Sequence, residues 1–100
     1  MAKARISLSD KLKELCANVY FQPPGGHKLI YPCIIYSLKN FNVRHANNNS
    51  YMVHDEYEIH YITRNPDDPV IREIAKFQMC RLSRTLSSDN LHNYYYTIFY

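Results

Sequence analysis

Leu29-Ile30-Tyr31-Pro32-Cys33-Ile34-Ile35-Tyr36-Ser37-Leu38 is the longest nearly uncharged apolar run in the chain, and its reading decides the fold. β-Branched and aromatic residues dominate it. Pro23-Pro24-Gly25-Gly26 bounds it on one side and an Asn-rich stretch from Asn40 to Asn49 on the other, so it reads as a buried strand rather than a helix. Even positions supply Ile30, Ile34, Tyr36 and Leu38, and odd positions Tyr31, Cys33 and Ile35, so both faces call for cover. Pro32 cannot donate to a ladder, which sets the strand's start close to it and leaves one early edge unpaired.

Upstream, Ile6, Leu8, Leu12, Leu15, Cys16 and Val19 recur at three- and four-residue spacing, predicting an amphipathic helix from about Ser9 to Asn18 behind a short N-terminal arm, residues 1–6. Ser7 or Ser9 is available as its N-cap. Val19 to Gln22 then leads into the Pro-Pro-Gly-Gly connector. Downstream, Lys39 to Ser50 holds five asparagines and reads as a long loop, residues 39–50, a projecting hairpin tip. From Tyr51 to Arg64 the pattern alternates, with Tyr51, Val53, Tyr57, Ile59 and Tyr61 against His54, Glu56, Glu58 and His60: a half-buried antiparallel strand with one dry and one wet face. Asn65-Pro66-Asp67-Asp68-Pro69 is a turn in which Asp67 or Asp68 caps a short helix that opens on Pro69. Val70, Ile71, Ile74 and Phe77 form that helix's apolar stripe. Cys80, Leu82 and Leu86 then alternate with Arg81, Ser83 and Thr85, but Arg84 falls on the apolar parity, which calls for an acidic partner at the sheet edge or a shift of register. After a turn over 87–90, Leu91 to Tyr100 returns as a last strand, aromatic on both parities.

The expected fold is α+β: one domain, residues 1–100, with a single small antiparallel sheet of about four strands packed by two helices in the order α-β-β-α-β-β. Both helices are available to one face of that sheet. Ten tyrosines in one hundred residues exceed what two short helices can cover, which points to a protein partner for the remainder.

Composition bounds the function classes. A chain of this length folds on one core and buries roughly 60–70 % of its unfolded surface. The net charge of +3 comes from twelve Lys and Arg interleaved with nine acids, without the concentrated cationic face of a nucleic-acid binder. Cys16, Cys33 and Cys80 are odd in number and sit among apolar neighbours, as reduced core thiols of a cytosolic protein do. No apolar segment has the length of a signal peptide or membrane span, so a soluble protein made in the cytoplasm is expected, with no membrane partner. His54, Glu56, Glu58 and His60 lie at steps of two on one strand, but nothing else supplies converging ligands. No catalytic residue, cofactor or metal site is expected, and the chain is read as a non-enzyme.

Val19-Tyr20-Phe21-Gln22-Pro23-Pro24, Leu29-x-Tyr31-Pro32-Cys33-Ile34-Ile35-Tyr36, Tyr57-x-Ile59-x-Tyr61-Ile62-Thr63-Arg64-x-Pro66-Asp67, Cys80-Arg81-x-x-Arg84 and Ser88-Asp89-Asn90-Leu91-His92 follow one another in a pattern covering nearly the whole chain from Val19. This succession resembles small virion proteins of the tail module of tailed bacteriophages, in particular the tail terminator (tail completion) family. The resemblance implies a homo-hexameric ring in the virion that caps the tail tube protein and joins it to the head-tail connector, with DNA passing through its lumen. Interface residues are then expected among Tyr94, Tyr95, Tyr96 and Phe99 of the last strand, on the polar strand face at His54, Glu56 and Glu58, and in the loop at Asn47, Asn48 and Asn49. Which parity of the last strand faces outward stays open between Tyr95 with Phe99 and Tyr94 with Tyr96. The reading from another class is a non-virion regulatory or nucleic-acid-binding α+β module that stacks bases on Tyr94, Tyr95 and Tyr96; Leu91 to Tyr100 itself contains no Lys or Arg to support it.

Overall fold

Alternation along residues 51–64 sets the centre of the sheet. The structure is a computed structural model that describes the backbone of residues 5–23, 25, 28–47 and 50–100, and the side chains of those residues outside 42–52. The chain runs α1 (Arg5–Lys13), β1 (Val19–Phe21), β2 (Cys33–Asn47), β3 (Ser50–Thr63), α2 (Val70–Ala75), β4 (Cys80–Ser88) and β5 (Leu91–Phe99). The strands form one sheet in the order β1-β2-β3-β5-β4. β1 lies parallel to β2, and every other pairing is antiparallel. The α+β class with both helices on one face holds, while the sheet is mixed and has a fifth strand.

Ile34 and Tyr36 of β2, Tyr57, Ile59 and Tyr61 of β3, and Tyr96 and Ile98 of β5 share one face, and all are buried. Leu8 and Leu12 of α1 and Ile74 of α2 close the same core. The buried faces of α1 and α2 thus explain the odd parity of β3 and the even parities of β2 and β5.

Several expectations are corrected. Val19–Phe21 is a strand, not a lead-in to a connector: its pairing Val19↔Ile34 to Phe21↔Tyr36 occupies the early edge of β2 expected to be open. Three residues are too short to show a period, and the partner lies across a proline-rich loop. β2 does start beside Pro32, at Cys33, after a cis Tyr31-Pro32 bond. Leu29 to Pro32 precede the strand, and Ile30 is exposed. The loop expected over 39–50 is largely strand: β2 runs to Asn47 and β3 begins at Ser50, with register shifts between Leu38 and Asn40 and between Asn40 and Val43. Long-range pairing with β3 overrides the turn preference of the asparagines. Helix α1 covers Arg5–Lys13 rather than Ser9–Asn18, so Arg5 and Ile6 belong to it rather than to an arm. The amides of Leu15 and Cys16 both return to the Leu12 carbonyl and end the helix. Asn18 then ties the chain to β2, its carbonyl accepting from the Ile34 amide and its Nδ2 donating to the Pro32 carbonyl (2.8 and 3.1 Å).

The tyrosine surplus is also smaller than the sequence suggests. Tyr36, Tyr57, Tyr61, Tyr96 and Tyr100 are all buried. Four of these hydroxyls bridge to other elements: Tyr36 accepts from Arg5 (3.0 Å), Tyr61 donates to Asp68 (2.5 Å), Tyr96 donates to the Ile71 carbonyl (2.6 Å), and Tyr100 pairs with Ser7 (2.5 Å). Asp68 also accepts from Thr63 and from the Val70 amide at the start of α2. Burial pushes its carboxyl up, but the hydrogen bonds from Tyr61, the Val70 amide and Thr63 outweigh that and hold it below the ordinary carboxylate range.

Removing one of these hydroxyls tests the arrangement. Tyr61→Phe takes a hydrogen bond from a charged acceptor and is expected to cost about 1.5–3 kcal/mol, against about 1 kcal/mol for Tyr96→Phe, whose acceptor is a neutral carbonyl. Urea unfolding of both variants checks the order, and equal losses would remove Asp68 from its anchoring role. The thiols give a second check. Cys16 and Cys33 are buried and Cys80 is half-buried; burial pushes Cys33 up to about 11 and Cys80 up to about 12. Native protein at about pH 8 should label with a maleimide far more slowly than urea-unfolded protein; equal rates would contradict the core placement.

Candidate interface

The face of the sheet opposite the helices carries the second parity of each strand. Across its middle run Ile35, His60, Tyr95 and Arg84, one from each of β2, β3, β5 and β4, paired in that order. Beside them lie Ser37, Glu58, Thr97 and Arg81 in one row and Cys33, Ile62, Asn93 and Leu86 in the other. Cys33 and Ile62 are closed off from solvent, while Ile35, Glu58, His60, Asn93 and Tyr95 are half-buried.

The centre of this face is a stack. The His60 and Tyr95 rings lie 4.2 Å apart and 17° from parallel. The Arg84 guanidinium covers the other face of Tyr95 at 4.3 Å from the ring centroid. His60 Nε2 donates to Asn93 Oδ1 at 2.8 Å, and Asn93 Nδ2 is directed to the Leu86 carbonyl at 3.4 Å. Ser83 and Thr97 join hydroxyls at 2.9 Å. Burial lowers the His60 pKa below its ordinary value, opposed by the bond to Asn93 and by Glu58 and reinforced by Arg84.

Arg84 reaches this face because the register of β4 shifts between Leu82 and Arg84. Of the two readings of its anomalous parity, the shift is the one realised, and Arg84 meets a ring rather than an acid. The same shift carries Leu86 to this face, where it is exposed.

Of the expected interface residues, the fold brings Tyr95, Phe99, Glu56 and Glu58 together here: Glu56 lies opposite Phe99 and Glu58 opposite Thr97. His54 continues the same parity of β3, opposite Val43. Tyr94 and Tyr96 take the helix side instead: Tyr96 is fully buried and Tyr94 packs against the core cluster. The outward parity is therefore Tyr95 with Phe99. Asn47 is a strand residue opposite Ser50, and its side chain, like Asn48 and Asn49 altogether, lies outside the described residues. Arg84, Ile35 and Asn93 are not among the interface residues expected from sequence, although the broken parity at Arg84, the polar row of β3 and the outward rings of β5 all mark this surface. His60, on the strand face expected to be solvated or part of an interface, is half-buried in the stack.

Among the described residues no three His, Cys, Asp or Glu side chains converge to hold a metal ion. Among the described residues no helix is long and apolar enough to cross a membrane. No family model, curated protein or solved structure matches this chain.

The stack makes a pH prediction. His60 titrates below 6.5 when folded and near 6.5 when unfolded, so its contribution to stability is present above 6.5 and is lost as pH falls through the lowered folded value. The denaturant midpoint is expected to fall on acidification from about pH 7 to about pH 5, and the fall to shrink in His60→Gln. An identical pH slope in the variant would show that His60 is not held neutral by the fold.

Proposed function

We propose that this chain is a structural subunit that assembles with copies of itself through the helix-free face of its sheet. The more specific form of the reading is a tail-module virion protein of the tail terminator or neck type, a ring seated between tail tube and head connector; it rests on the sequence resemblance set out above. The observation that carries the assembly reading is the Arg84–Tyr95–His60 stack, in one row with Ile35 on the face opposite the two described helices. Tyrosine and arginine, pre-ordered against each other, lose little side-chain freedom on docking and are the residue types that anchor protein interfaces. A contact between this face and a different surface of the next copy is heterologous, and such contacts close into a ring when the rotation between copies closes and run on as a filament when it does not.

The base-stacking alternative has two arginines of β4 in its favour, Arg81 and Arg84, on the same face as Tyr95. Stacking needs an open ring face, and His60 and Arg84 already cover both faces of Tyr95.

Native mass measurement tests the proposal, with negative-stain images for ring shape. Wild type is expected as a ring-sized assembly, and Tyr95→Ala with Phe99→Ala as a smaller, still folded species. Loss of anchors of this kind costs about 2 kcal/mol or more of association each. Tyr96→Ala, in the core, is expected instead to lower stability by about 3–5 kcal/mol. A wild-type monomer at high concentration would overturn the reading.

A further inference from the structure

β4 is an edge strand, and every residue in it after Cys80 is exposed. On its helix side a cleft of about 380 Å³ opens between α2 and the β4–β5 hairpin. Ile71 and Ala75 of α2, Leu82 of β4, and Tyr94 and Tyr96 of β5 supply its apolar walls, with Arg72 also lining it and the turn residues Asp67 and Asp68 adding carboxylates. Leu82 is 45 % exposed, a large apolar side chain held half open beside an unpaired ladder. The edge is also one-signed: Cys80–Ser88 contains Arg81 and Arg84 and no acid. Among the described residues the ion pairs are Lys39–Glu58 and Lys76–Glu73, so Arg72, Arg81 and Arg84 have no acidic partner.

The register shift orders these groups. Arg81 lies opposite Thr97, Leu82 opposite Tyr96 and Arg84 opposite Tyr95. Three successive rows thus present a cation on the open face, an apolar group on the cleft face, and a cation on the open face again. Without the shift, Arg81 and Arg84 would point to opposite faces.

We propose that the β4 edge and its cleft form a docking site for an extended segment of another protein in which acidic residues flank a large apolar one. Such a segment adds as a sixth strand. Its backbone pairs with the free groups of β4, its two acids meet Arg81 and Arg84 on one face, and the apolar side chain between them enters the cleft beside Leu82. A strand without acids leaves two arginines crowded and unpaired, so the residues that attract the right segment repel neutral and basic ones. The site shares Arg81 and Arg84 with the assembly face, while Leu82 and the cleft lie on the helix side, so Ala75→Trp tests it without touching that face.

The probe is a short fluorescent peptide alternating Glu and Leu, titrated by anisotropy at low and high salt. Two controls are an alternating Lys and Leu peptide and a peptide of the same Glu and Leu content arranged in two blocks. The alternating acidic peptide is expected to bind, more weakly at high salt, and to slow amide exchange across Arg81–Ser88. Arg81→Glu with Arg84→Glu is expected to lose about tenfold or more in affinity and to accept the Lys peptide instead. Ala75→Trp, an exposed helix position that fills the cleft, is expected to lose about tenfold with unchanged unfolding. Absence of binding, equal binding of all three peptides, or binding without protection of β4 amides would overturn the proposal. So would self-association that Arg81→Glu with Arg84→Glu abolishes while the acidic peptide fails to bind, since the occupant would then be a second copy.

Discussion

A buried tyrosine must find a partner for its hydroxyl, and this constraint governs how the sheet is covered. Tyr36, Tyr61, Tyr96 and Tyr100 each place a ring in the core and a hydroxyl at its margin. The partners are Arg5 and Ser7 on α1, the Ile71 carbonyl within α2, and Asp68 just before α2. Two short helices with modest apolar stripes would hold a five-stranded sheet poorly by burial alone. Directional bonds fix where each sits, and one of them ends on a carboxylate that also accepts from the Val70 amide at the start of α2. Leaving any such hydroxyl unpaired in the interior would cost on the order of 1–3 kcal/mol, so the helices are held to one face and one position.

The opposite face follows from that arrangement. With the helices committed, the second parity of β3 and β5 turns away from them, and its centre takes rings and a guanidinium in a row. The result is a surface already ordered before any partner arrives, in which His60 is partly withdrawn from water and Tyr95 presents its edge rather than its face. Such a surface suits a flat protein neighbour better than an inserted base.

The α+β class, the strict alternation of β3 and the turn over 65–69 were legible in the sequence because each rests on local chemistry: a period of two, or Pro and Asp at positions where only a turn and a helix start suit them. β1 was not legible, since three residues have no period and their parallel partner is distant. The distal half of β2 was hidden because asparagine prefers turns locally and only the opposing strand supplies the compensating ladder. Of the ten tyrosines, four serve the core through hydrogen bonds whose partners the sequence does not pair, so tyrosine content alone overstates the surface left for a partner. Arg84 was legible as an anomaly of parity, and the structure resolves it by the shift of register rather than by an acid.

That shift decides what the edge presents. On one side of Ser83 the strand turns Leu82 toward the helices; on the other it turns Arg84 and Leu86 away from them. The strand's chemistry is therefore set by phase as much as by residue identity. Were the shift to relax at constant length, Ser83 would take the place opposite Tyr95, Arg84 and Leu86 would pass to the helix side and Thr85 and Ser87 would turn outward, whereas loss of Ser83 would only regularise the strand and leave both faces as they are. The surface this edge offers thus depends on whether the strand keeps its extra residue unpaired, not on whether Ser83 itself is present.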